Sequence, residues 1–277
     1  MLSMLKLLAT TLLLSSVVNA NENAKVEQFL ATKFKENPAI VSLDVKVVDK
    51  VKLPSVAGWY ALIVEVDAML KAKPANRKIE QKMIWFTDGK VVTKELTSLE
   101  TGASLKDSVN PSFKPEYYRK SNLIYGKSDA KHKVAIFSDP LCPFCGTFVP
   151  KAIEEMRKYP KKFAIYYYHF PLPTLHPAAV ELSQAAIAAE LNGIKNMVLR
   201  MYTVEVDPRE RNVRKILEIF NRKIGTDLKV SDLQTKEVQQ HYQRDLKIAN
   251  DVMVGGTPTM FFDGKLDRTK RMYQKAL

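Results

Sequence analysis

"DPLCPFCGTF", residues 139–148, contains both cysteines of the 277-residue chain, Cys142 and Cys145. The chemistry that this pair can serve decides the fold, and four readings compete. A structural zinc site needs about four ligands, and no second cysteine pair supplies them. Covalent haem attachment needs histidine directly after the second cysteine, where Gly146 stands. A structural disulfide across so small a loop removes little entropy from the unfolded chain. Dithiol–disulfide exchange is left, and it suits a C-x-x-C placed between a strand and a helix.

The flanks supply that strand and that helix. "KVAIFSDP" (133–140) reads as a short apolar strand ending in turn residues, and Phe148, Ala152, Ile153 and Met156 then share one helical face. A helix opening at the motif puts Cys142 at its first turn, where unpaired N–H groups and the positive end of the dipole favour a thiolate. Cys142 is therefore expected to be the attacking sulfur. Pro143 suits a helix opening because its missing N–H costs little there. Cys145, one turn further in, is expected to be buried and to act as the resolving thiol. Phe144 offers the thiolate neither charge nor a side-chain hydrogen bond, so a less oxidising centre is expected than with histidine at that position.

The compartment follows from the N-terminus. "MLSMLKLLATTLLLSSVVNA" (1–20) has one basic residue, an apolar run and a small-residue exit, the pattern of a secretory signal peptide cleaved after Ala20. The run is shorter than the roughly 20 apolar residues that span a bilayer. Export to a periplasmic, oxidising location is expected, with a soluble mature chain. An apolar fraction of 46% is enough to build cores without disulfide staples. The formal net charge of +13 is spread along the chain with no aromatic-basic motif, so no nucleic-acid partner is expected.

Length and composition shifts suggest two domains after the signal peptide. Residues 21–110 read as a small α+β unit. Val26, Phe29, Leu30 and Phe34 recur at helical spacing, Leu43, Val45 and Val47 alternate as in a strand, and residues 58–70 are rich in branched and aromatic residues. Asp88-Gly89 in "QKMIWFTDGKVVTKEL" (81–96) marks a hairpin. Residues 111–130, with Pro111 and Pro115, read as a linker helix. Residues 131–277 form the second unit, with strands at 133–140 and 162–170, a helical block over about 175–248 broken near Asp207-Pro208 and Gly225, and a final strand and turn in "GGTPTMFFDGK" (255–265). That order fits an α/β domain with a helical insertion. The four histidines, His132, His169, His176 and His241, read as structural or solvated.

"FSDPLCPFC" after a strand and "GGTPTMFFDG" near the end together resemble the thioredoxin fold. More narrowly, the domain order, the threonine before the proline and the "WFTDGKVV" hairpin are similar to periplasmic thiol:disulfide interchange proteins of the DsbC/DsbG type. "HFPLPTLHPAA" (169–179) is similar to the broader DsbA-like group. The resemblance implies an α+β chain: a cystatin-like N-terminal dimerisation domain, a linker helix, and a thioredoxin-fold catalytic domain with a helical insertion. It implies that Pro258 is a cis-proline facing the cysteines and that Thr257 and Pro258 bind an extended substrate peptide. It departs at Ile136, where thioredoxins and oxidases of the DsbA type carry a buried acid; a slower resolving step is expected.

The functional expectation is a homodimeric protein disulfide isomerase or reductase. Cys142 and Cys145 are its catalytic pair and Pro143-Phe144 its active-site dipeptide. It needs no metal or other cofactor beyond the redox-active Cys142–Cys145 disulfide. Its partners would be unfolded or misoxidised exported proteins and a membrane reductase. A disulfide-donating oxidase of the DsbA type and a holdase-type chaperone with secondary thiol chemistry are the alternatives.

Overall fold

The structure, a computed structural model, describes residues 22–71, 76–109 and 111–277. The expected signal peptide lies outside the described residues. The chain divides into two compact units between Asn110 and Pro111.

The first unit is one helix on one antiparallel sheet. Helix α1 (22–35) buries Val26 and Leu30 against Val45, Leu62, Val64, Val66 and Trp85. Phe29, on the same spacing, is exposed instead, because the buried stripe is only as wide as the sheet face it covers. Strands β1 (Ile40–Lys52), β2 (Tyr60–Leu70), β3 (Arg77–Thr87) and β4 (Val92–Thr93) follow in that spatial order. The β3–β4 hairpin turns at Asp88-Gly89: the Asp88 carboxylate accepts the N–H groups of Lys90 and Val91, and Gly89 takes a φ of 86°, which a side chain would disfavour.

The second unit is a five-stranded mixed sheet with helices. Its strands are β5 (Leu123–Tyr125), β6 (His132–Ser138), β7 (Phe163–His169), β8 (Thr259–Phe262) and β9 (Lys265–Leu266), in the spatial order β5-β7-β6-β8-β9. Strands β6 and β7 run parallel, joined through α2 (Pro143–Met156); β8 returns antiparallel to β6. Both faces of β6 and β7 are covered, which explains why these strands are almost unbroken apolar and aromatic runs. Val134, Ile136, Ile165 and Tyr167 point into one core with α2, while Ala135, Phe137, Tyr166 and Tyr168 point into the other.

Between β7 and β8 lie α3 (Ala179–Leu191), α4 (Met197–Met201), α5 (Val213–Ile224), α6 (Val230–Leu233) and α7 (Lys236–Asp251). The breaks follow local chemistry. Asn212 caps α5 by accepting the N–H groups of Arg214 and Lys215, an arrangement that stabilises a helix by about 1 kcal/mol, and Gly225 ends it at a φ of 77°. Helix α8 (Met272–Lys275) closes the chain, with Tyr273 buried.

The expected linker helix over 111–130 is not formed. The segment makes two single 3₁₀ turns, Pro115–Tyr117 and Lys120–Asn122, and then pairs as β5 along β7. Its aromatic residues determine this. Phe113 packs with Phe137, Tyr168 and Phe261 at centroid distances of 6.0, 5.4 and 5.4 Å, and its N–H donates to the Gly264 carbonyl at 2.8 Å. Burying such rings outweighs weak helix propensity.

Candidate active site

The site is built at the end of β6, where the strand hands over to α2. Cys142 is the residue that caps the helix, with Pro143 at its first position. Both cysteines are free thiols, and both are buried, but unequally. Cys142 keeps 6% of its surface exposed, next to an exposed Pro143 and a Phe144 that is 77% exposed. Cys145 is sealed in the core formed by Ile136, Val149, Tyr167 and Met260.

Opposite the motif, Gly256-Thr257-Pro258 leads into β8, and the Thr257–Pro258 peptide bond is cis. The Cys142 thiol lies 3.8 Å from the Thr257 carbonyl oxygen, to which it donates. The geometry thus brings the segment Cys142, Pro143, Phe144 and Cys145 to Thr257 and Pro258, although 115 positions separate Cys142 from Thr257.

Burial pushes the Cys145 thiol up to about 11, since an ionised sulfur would lose its hydration there. The nearby Ser138 and Thr257 hydroxyls and the Asp139 backbone offset part of that effect. The buried Thr257 hydroxyl makes no hydrogen bond of good geometry among the described residues.

Four contributors carry no obvious mark in the sequence. Asp139 is fully buried, three residues before Cys142. One carboxylate oxygen accepts the N–H groups of Leu141 at 2.7 Å and Cys142 at 3.2 Å; the other accepts Leu172 N–H at 2.7 Å and meets His176 Nδ1 at 2.9 Å. A single carboxylate therefore ties the cysteine turn to the loop after β7. A buried charge is tolerated where it is hydrogen-bonded on every side. His176 is half-buried in this arrangement and not simply solvated. Ser138, Tyr202 and Tyr167 form a hydroxyl chain: Ser138 Oγ lies 2.6 Å from Tyr202 OH, which lies 3.2 Å from Tyr167 OH. The sequence signal was slight, a Ser-Asp pair at a strand end and a proline after it.

The remaining histidines sit elsewhere. His132 pairs with Asp263 at 2.8 Å. His169 and His241 belong to a buried polar cluster around Asp245, whose carboxylate accepts from Asn122 Nδ2 at 2.8 Å and from His169 N–H at 2.9 Å. Burial holds His169 down at about 3 and His241 at about 4, and raises Asp245 to about 8. Among the described residues no cluster of three or more His, Cys, Asp or Glu side chains could hold a metal ion, and no helix is long and apolar enough to cross a membrane.

Comparison with solved structures finds a thioredoxin-like oxidoreductase from Silicibacter pomeroyi DSS-3, 19% identical, with a TM-score of 0.49, covering 58% of this chain and 92% of that one. The thiol-disulfide exchange protein alpha-DsbA2 from Wolbachia pipientis is 18% identical, with a TM-score of 0.49, covering 63% and 97%. Proteus mirabilis ScsC in a transitional conformation is 21% identical, with a TM-score of 0.44, covering 55% and 67%. No curated protein matches the sequence. The family model described as Thioredoxin matches residues 119–276, more than half of the chain and the whole of the cysteine, Thr257 and Pro258 region. The chain belongs to the thioredoxin family.

Proposed function

We propose that this protein is an exported thiol:disulfide oxidoreductase of the DsbC/DsbG type, acting as an isomerase and reductase on misoxidised exported proteins. The observation that carries the reading is the placing of the Cys142 sulfur at the head of α2, 3.8 Å from the Thr257 carbonyl, with Cys145 buried one turn below. Cys142, as thiolate, attacks one sulfur of a client disulfide. The client S–S bond breaks, a Cys142–client S–S bond forms, and a client thiolate leaves. In isomerisation a client thiolate, the first one released or one freed by rearrangement of a neighbouring bond, then attacks the client sulfur of the mixed disulfide; the Cys142–client bond breaks and Cys142 leaves as thiolate with no net electron transfer. In reduction Cys145 attacks Cys142 instead, the pair is oxidised, and the client leaves with both thiols.

Two features favour isomerisation over rapid oxidation. Cys145 holds its proton tightly, so the mixed disulfide outlives a client's own rearrangement. Phe144 presents an exposed ring beside the reactive sulfur, suited to unfolded clients. In this reading the Thr257 carbonyl would accept an N–H from an extended client segment, as in strand addition. A membrane reductase would keep the pair reduced, residues 21–110 would join two copies, and no cofactor beyond the dithiol is needed.

Repair of a scrambled-disulfide protein tests the reading. Wild type restores activity to the scrambled protein without added oxidant, and Cys142→Ser does not. Failure of wild type in this assay, with oxidation of a reduced client by the Cys142–Cys145 disulfide intact, would favour the oxidase.

A further inference from the structure

We propose that Ser138, backed by Tyr202 and Tyr167, forms a hydroxyl chain that holds the Cys145 thiolate as it attacks the mixed disulfide. The inference rests on the thiol-exchange reading above and adds to it the residues that control its resolving step.

The core behind Cys145 is mostly apolar, and besides the Thr257 hydroxyl and the Asp139 backbone its polar groups are these hydroxyls. Ile136, Val149 and Met260 offer nothing to a negative charge. Ser138 is the last residue of β6, fully buried, and reaches toward the Cys145 sulfur. Its hydroxyl is 2.6 Å from Tyr202 OH, supplied by the helical block just after α4, and Tyr202 OH is 3.2 Å from Tyr167 OH on β7. A hydroxyl has one proton and two lone pairs, so such a row has two consistent settings. With Cys145 protonated, the thiol donates toward Ser138. With Cys145 ionised, each group donates toward the sulfur: Tyr167 to Tyr202, Tyr202 to Ser138, Ser138 to the thiolate. Hydrogen bonds in a row polarise one another, and in a dry core a bond to a charged sulfur is stronger than one to a neutral group. Burial keeps both phenols protonated far above neutral pH, so they are available as donors and do not act as competing anions.

The step balances without another reagent. Cys145 gives up its proton, which ends on the departing client sulfur. Its sulfur forms a bond to Cys142, the Cys142–client bond breaks, and two electrons pass from the dithiol to the client. In the proposal Ser138 is the group of the row that meets the reacting sulfur and is catalytic in that sense; Tyr202 and Tyr167 act through it and are positioning residues.

The test mixes reduced full-length protein with 5,5′-dithiobis(2-nitrobenzoate) and follows thionitrobenzoate release by stopped flow. Attack by Cys142 releases the first equivalent at a rate proportional to reagent. Resolution by Cys145 releases the second at a rate independent of it. Ser138→Ala is expected to slow the second phase about tenfold at pH 7 and to move its pH profile up by about one unit. Tyr202→Phe, which keeps the ring and its packing, shifts the second phase in the same direction by less. The first phase stays at its wild-type rate in both. Second phases with wild-type rates and pH profiles in both variants would overturn the proposal, as would equal slowing of both phases with an unshifted profile. A wild-type protein that shows no first phase would instead overturn the function on which the proposal rests, and the proposal with it.

Discussion

The Asp139 carboxylate and the His176 ring meet at 2.9 Å beside the reactive turn, although 36 residues lie between them in the sequence. The same carboxylate also accepts the Cys142 N–H, so the backbone that carries the attacking sulfur and the loop after β7 share one anchor. Asp139→Ala leaves four donors without their acceptor. It is expected to cost roughly 3 kcal/mol of stability, the usual loss when one partner of a buried charged network is removed. Chemical denaturation measures that cost, and hydrogen exchange should show faster opening at Leu141, Cys142 and Leu172. Unchanged stability with unchanged exchange would remove Asp139 from this role.

Phe144 is 77% exposed, so a polar replacement there disturbs no packing. Histidine would place a hydrogen-bond donor, in part cationic, beside Cys142 and stabilise the reduced, ionised form of the pair. Phe144→His should therefore raise the reduction potential by about 30 mV, equivalent to roughly 1.4 kcal/mol for a two-electron couple. Equilibration with glutathione redox buffers reads it directly. A potential equal to or below that of wild type contradicts the argument.

The buried cluster around Asp245 makes stability depend on pH in two opposing directions. The folded Asp245 carboxyl is raised to about 8, above its ordinary value, so over pH 4–8 the folded state keeps a proton that the unfolded state releases; this contribution to stability falls as pH rises. His169 and His241 are lowered to about 3 and about 4. Below about pH 6.5 the unfolded state therefore takes up protons that the folded state refuses, and stability falls as pH drops. The Glu190 carboxyl, raised by burial to about 7, adds to the decline with rising pH, and together these slopes place the maximum between about pH 5 and 6.5. A Tm series from pH 5 to 8.5 should show it, and in Asp245→Asn the decline on the alkaline side should flatten. An alkaline decline as steep in the variant as in wild type would assign it to other groups.

The parts of this molecule that could be read from sequence are those set by local pattern. The strand before Cys142 and the helix after it follow from a short apolar run, turn residues and a 3.6-residue period, and the hairpin at Asp88-Gly89 follows from turn chemistry. Cys142, Pro143 and Cys145 announce themselves by spacing. What stayed hidden depends on long-range closure. Nothing in the vicinity of Ser138 indicates Tyr202, which lies 64 positions away and arrives only when the helical block folds back on the sheet. Asp139 looks like an ordinary turn residue until Leu172 and His176 are brought to it. Residues 111–130 read as a linker helix, but their only helical turns are the 3₁₀ turns Pro115–Tyr117 and Lys120–Asn122, because Phe113, Tyr117 and Tyr118 are anchored by aromatic contacts that local propensity does not register.

The division of labour between the two sulfurs is tested most directly by alkylation. Cys145 is fully buried and its thiol is pushed up to about 11, while Cys142 retains some exposure. Iodoacetamide at pH 7 applied to the reduced protein should modify Cys142 alone, with at least about a hundredfold preference, because the thiolate and not the thiol is the nucleophile.

The central claim is that Cys142 is the sulfur that exchanges with a client disulfide. Incubating the Cys145→Ser variant with an unfolded peptide that carries one disulfide, followed by peptide mapping without reduction, tests it in one step. The account predicts a stable covalent adduct attached through Cys142. No adduct, with the protein folded and the thiol of Cys142 free, would contradict it.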